Sequence, residues 1–130
     1  MPKQIISTER APTSPIYCQG VRAGSAVYVS GMTGMTGIDV ATKALAGPTI
    51  QEQTLQALRN CMAIVEAGGG TKDDIVHVTV LLSNPADFLG MNEAYATVFT
   101  TEPPTRAVAK LGVELPEVLV SIMMTAHLSD

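Results

Sequence analysis

Arg106 follows two prolines, Pro103 and Pro104, and precedes the run Ala107, Val108, Ala109, Lys110 and Leu111. Proline fixes φ and cannot continue a helix. The guanidinium is therefore delivered on a stiff support at the start of an expected strand. A planar fork of N–H donors suits a carboxylate or phosphate held through two parallel hydrogen bonds. The bland alternative is a surface arginine in a weak ion pair. His77, with Asp73 and Asp74 in the turn before it, has the residue types of a ligand or general base but makes no recognisable motif. A hydrogen-bonded structural histidine is the better reading. His127, close to the last residue, reads as solvated. Cys18 and Cys61 form no CxxC and no zinc set with the two histidines. Cys61 reads as a small core residue. No metal and no cofactor are expected.

Composition narrows the setting for this chemistry. The 130 residues make one ordinary domain, expected over 1–130. Charged residues are 15% of the chain, against about 25% in soluble domains, while hydrophobic residues are 46%. Such a surface points to burial against another subunit. A net charge of −4 and a pI near 5.0 disfavour nucleic-acid binding, which needs clustered Lys and Arg. No run of about 18 apolar residues exists, so no membrane span is expected. The first residues carry no signal-peptide pattern. The expectation is a soluble cytoplasmic protein with reduced thiols.

The elements that must position these residues are legible from pattern. Residues 3–8, 16–21 and 26–30 read as strands, the last two joined by a Gly-containing turn. Residues 31–47 read as a long flexible connection, of the kind that forms a lid or site rim. They hold no phosphate-loop pattern. Thr49 and Glu52 make a capping box for a helix over 50–67, whose apolar stripe includes Leu55, Leu58, Met62 and Val65. Gly68, Gly69 and Gly70 end it. Residues 74–82 read as a strand apolar on both faces, a further sign of an oligomer. A second helix is expected over 88–100, with Phe88, Met91, Tyr95, Val98 and Phe99 inward and Asn92 beside that stripe. Residues 118–128 read as the last strand, with Val118, Val120, Ile122, Met124 and Ala126 on one face. The order β-β-β-α-β-α-β-β gives an α+β domain with a mixed sheet and both helices on one face.

In this order and spacing the residues resemble the RidA (YjgF-type) family. The resemblance runs through Ala11-Pro12, Tyr17-Cys18-Gln19-Gly20, Ser30-Gly31, the stretch from Ile64 to Gly69 and Asp74-Ile75-Val76. It continues through Asp87-Phe88, Asn92, Tyr95, Phe99, Pro104-Thr105-Arg106-Ala107 and Leu115-Pro116. It implies a chorismate-mutase-like fold, a homotrimer with sites in the clefts between subunits, and hydrolysis of reactive enamines and imines. It also implies that Arg106 clamps the substrate carboxylate and that Tyr17 is a site wall. Ser30, Gly31 and Asn92 are expected near the cleft, and Ala107 and Val108 where backbone groups meet the ligand. One departure stands out. The family's last strand carries glutamates, one of which positions the attacking water. Aligned on Leu115-Pro116, those places hold Ile122 and Met124; a one-residue shift gives Ser121 and Met123. Neither register supplies a carboxylate, and the stretch 106–115 is one residue longer than usual.

Hydrolysis of a 2-imino acid needs a carboxylate anchor, an aimed water and a proton for the departing amine. Arg106 can supply the first and a fixed electrostatic field. Without a carboxylate, the Tyr17 phenol, the Ser30 hydroxyl or a backbone-held water must serve the rest. Glu114 and Glu117 read as solvated loop charges. Two function classes remain: an enamine/imine deaminase making 2-oxo acids and ammonia, and a non-catalytic trimer that binds small carboxylates. A ribonuclease, a label attached to this family, is disfavoured by the acidic pI and the absence of a basic patch.

Overall fold

The computed structural model describes residues 2–36 and 44–129. The elements run β1 (Gln4–Ile6), β2 (Gly20–Ala23), β3 (Ala26–Thr33), α1 (Ile50–Ala67), β4 (Ile75–Leu82), α2 (Phe88–Val98), β5 (Thr105–Lys110) and β6 (Val120–His127). This is the expected α+β order. The strands form one sheet in the order β1-β2-β3-β6-β4-β5. β4 and β5 are parallel, joined through α2 as a crossover, and the other pairs are antiparallel.

α1 forms where the capping box places it. The Thr49 hydroxyl oxygen accepts from the Glu52 backbone N–H at 3.1 Å, and the Glu52 carboxylate accepts from the Thr49 N–H at 3.3 Å. The helix lies on β3 and β6 and against α2. Leu58, Ile64 and Val65 are fully buried there with Val27, Val78, Val80, Val120 and Ile122. Each such large side chain contributes about 1.5–3 kcal/mol relative to exposure. Among the described residues no helix is long and apolar enough to cross a membrane.

Several boundaries differ from expectation. β2 begins at Gly20 rather than residue 16, because Gln19 turns inward and holds the preceding loop (below). β3 runs on to Thr33, through residues expected to be loop. Met35 then bridges Leu45, and the Ala46 N–H donates to the Gly34 carbonyl at 2.8 Å. A Cβ on Gly34 would lie 2.7 Å from the Gln53 backbone, so this close approach excludes a side chain. Residues 37–43 of the expected lid lie outside the described residues. α2 stops at Val98, and Phe88 is 41% exposed rather than inward.

Among the described residues, no element covers the sheet face turned away from the helices. Cross-strand register lines up Ile5, Val21, Tyr28, Thr125, His77 and Thr105 in one row across the whole sheet. Met123, Thr79 and Ala107 form a second row. None of these residues is an Asp, Glu, Lys or Arg. Tyr28 and Met123 stay 52% and 42% exposed, as a face awaiting cover would be.

Candidate functional site

Arg106 sits on β5 with its side chain against α2. One of its amino groups donates to Asn92 Oδ1 at 2.7 Å and approaches Met91 Sδ at 3.8 Å. Its guanidinium carbon lies 4.8 Å from the Tyr95 ring centre and 5.9 Å from that of Phe88. Aromatic faces attract such a cation, so helix spacing supplies the cradle: residues 88, 91, 92 and 95 share one side of α2. The positive charge lowers the Tyr95 phenol pKa, but desolvation outweighs it and the net shift is upward. No carboxylate pairs with Arg106 among the described residues. The ion pair found there is the exposed Arg10–Glu66 contact. A half-buried guanidinium thus keeps donors free for an anionic ligand. β5 is an edge strand. Backbone groups alternate in direction along a strand, so one of the neighbours Ala107 and Val108 presents its N–H and C=O outward.

Tyr17, Ser30 and Gly31 form a second group. Ser30 and Gly31 together face the single residue Met123 on β6, since Val29 pairs with Met124 and Met32 with Ile122. Two residues against one is a β-bulge, which bends the strand and re-aims its side chains. The Ser30 hydroxyl donates to the Cys18 carbonyl at 2.6 Å, and its N–H donates to the Gln19 carbonyl at 2.9 Å. Ser30 is therefore an anchor for the loop that carries Tyr17. Gln19 completes the anchor from inside. Its amide donates to the carbonyls of Thr8, Ala11 and Pro12 and accepts from the Thr8 N–H. Tyr17, 45% exposed, lines a cavity of about 280 Å³ with Thr33, Met35, Leu45, Leu115, Pro116 and Val118.

Within one chain the two groups are apart. β6 and β4 stand between β3 and β5, so three strand spacings separate them, about 14 Å.

The other sequence candidates find plain roles. His77 is hydrogen-bonded to Thr105 at 2.7 Å and Thr79 at 3.1 Å. Cys61 is fully buried, its thiol donating to the Ile122 carbonyl at 3.3 Å, and burial pushes its pKa up, away from a reactive thiolate. Glu114 and Glu117 are exposed. Ile122 and Met124 are buried against the helices. Ser121 and Met123 occupy the open face, so strand alternation, rather than alignment on Leu115-Pro116, decides which β6 residues can reach a cleft. Sequence reading missed Phe88, Met91 and Tyr95 as the cradle of Arg106, having assigned them to the core stripe. The i, i+3, i+4, i+7 spacing around Asn92 was the available signal.

The family model described as Endoribonuclease L-PSP matches residues 8–128. A RutC family protein of Saccharolobus solfataricus is 38% identical over 129 residues, covering 98% of this chain and 99% of that one. A 2-iminobutanoate/2-iminopropanoate deaminase of Dermatophagoides farinae is 37% identical over 118 residues, covering 89% and 88%. Among solved structures, yeast Mmf1 superposes with a TM-score of 0.88 at 26% identity, covering 98% of this chain and 100% of the other. E. coli TdcF with bound serine gives 0.86 at 32% identity, covering 97% and 99%.

Proposed function

The chain belongs to the endoribonuclease L-PSP family, also called the RidA or YjgF family, and from that membership we propose that it hydrolyses reactive 2-imino acids to 2-oxo acids and ammonia. The observation that carries this reading is Arg106, half-buried, braced by Asn92 and two aromatic rings, and without a protein carboxylate among the described residues. Its free N–H donors anchor the substrate carboxylate, each charge-assisted bond contributing about 1.5–3 kcal/mol. An outward backbone group of Ala107 or Val108 adds a contact beside it. Tyr17, Ser30 and Gly31 form the opposing wall, with Tyr17 touching the substrate and Ser30 holding the loop in place.

The chemistry balances with water alone. The water oxygen bonds to C2 as the C=N pair collapses onto nitrogen. Both water protons end on that nitrogen, the C–N bond breaks with its electron pair, and the carbonyl forms as ammonia leaves. Arg106 withdraws electron density through the carboxylate and favours attack at C2.

The two walls meet in a homotrimer, packed through the uncharged sheet face, in which Arg106 of one copy faces Tyr17 of the next. Support comes from the distance between the walls in one chain and from the exposed Tyr28 and Met123. The named deaminase relatives and the serine bound to TdcF support a small carboxylate as the ligand.

The test generates 2-iminopropanoate with an amino-acid oxidase and traps free imine with semicarbazide. The protein is expected to divert the imine from the trap, and Arg106→Ala to lose that effect. A second reading, a carboxylate-binding trimer without turnover, is favoured by the absence of any carboxylate on the open face of β6. Thermal protection by 2-oxo acids with no diversion of imine would select it.

A further inference from the structure

The open face of β6 carries a polar notch that the deamination reading leaves unassigned. Ser121 pairs directly with Thr33 across the β3–β6 ladder, so both side chains point to the same face, with Cβ atoms about 5 Å apart. Both residues are half-buried. Neither hydroxyl has a hydrogen-bond partner among the described residues. Of the other polar groups on this face, Ser30 is engaged on the Cys18 carbonyl and His77 on Thr105 and Thr79. On the other side of Ser121 stands Leu81, which offers no polar atom.

Gly31 leaves the notch open. A Cβ there would come 3.2 Å from Ser121 Oγ, closing the space above the hydroxyl. The bulge at Ser30-Gly31 sets that bare Cα over Ser121. Thr33 also lines the cavity that contains Tyr17, so the notch opens beside the proposed substrate wall. Two facing hydroxyls with a side-chain-free residue beside them fit one water molecule, which needs two to four polar partners.

We propose that Ser121 and Thr33 together hold the attacking water. This rests on the deaminase reading. One hydroxyl accepts a water proton in a hydrogen bond and the other donates its own proton to one lone pair of the water oxygen, which leaves the second lone pair aimed at C2. Neither hydroxyl gains a proton in the net reaction; both water protons pass to the departing nitrogen. The chain would thus position water without a carboxylate.

The imine-trapping assay on the parent protein, Ser121→Ala, Thr33→Val and the double variant tests this. Each single variant is expected to lower kcat about tenfold with KM unchanged. The double variant should lose little more, because both residues serve one water. Ser121→Thr keeps the hydroxyl and should keep most of kcat. Ser121→Glu should add an acidic limb to the pH–rate profile near the carboxylate range of about 4–5, which the parent lacks. Thr125→Val, on the same face but away from the notch, is the control. Parent-like kcat in Ser121→Ala and Thr33→Val would overturn the proposal while leaving deamination intact. No turnover in the parent would overturn the deaminase reading, and this inference with it.

Discussion

Asn92 decides how Arg106 is presented. A free arginine side chain has many rotamers, and holding one costs entropy. The 2.7 Å bond to Asn92 Oδ1 and the rings of Tyr95 and Phe88 meet that cost before a ligand arrives. Removing the amide should therefore weaken substrate binding more than it affects the fold. Asn92→Ala is expected to raise KM about tenfold, equivalent to roughly 1.4 kcal/mol, with the thermal midpoint within a few degrees of the parent; steady-state kinetics and a melting curve check both. Arg106 was legible in sequence from its di-proline and the apolar run after it. Its cradle was not, because Phe88, Met91 and Tyr95 satisfy a core stripe equally well. Only the approach of β5 to α2 shows that the stripe ends on a cation. Ser121 was likewise legible as an open-face residue, but its pairing with Thr33 depends on β3 running three residues past Ser30.

At the scale of elements, buried glutamines hold the loops that border the Tyr17 cavity. Gln53 on α1 is fully buried. Its amide donates to the carbonyls of Gly47 and Glu117 at 3.0 Å each, and its carbonyl accepts from the Leu119 N–H at 2.9 Å. This ties the segment after Leu45 and the segment before β6 to one helix position, and Leu45, Leu115, Pro116 and Val118 all line the cavity. Glu117 takes φ of +67° at that point, a costly backbone for a non-glycine residue, which the bond from Gln53 helps to hold. Gln53→Leu would leave two carbonyls and one N–H without partners. The expected cost is about 3 kcal/mol or more, read as a lower urea midpoint with an unchanged slope. α1 itself was legible to the residue, because its cap, stripe and glycine stop agree with one another. β2 was not: residues 16–21 look like a strand, yet Gln19 spends its side chain on backbone groups of residues 8, 11 and 12. A glutamine whose partners are distant in sequence gives no local signal, and the same holds for Gln53 and residue 119.

For the whole molecule, the sheet divides the candidate residues between two places and leaves an uncharged face bare. The shortage of charge was visible in composition, and the doubly apolar β4 was visible in alternation. The division was not visible, since it follows from β6 and β4 lying between β3 and β5. In the proposed reaction neither wall alone both anchors the carboxylate and encloses the reacting carbon. On that proposal the site is complete only on assembly, and the direct measurement is complementation between two damaged chains. Arg106→Ala and Tyr17→Ala, each of low activity alone, would be mixed, reversibly dissociated and reassembled, with trimer formation followed by light scattering. Random mixing should give about a quarter of the interfaces both intact walls, and imine-trapping activity should rise to about that share of the parent's. Activity no higher than either variant alone, in trimers shown to contain both chains, would contradict a site shared between copies.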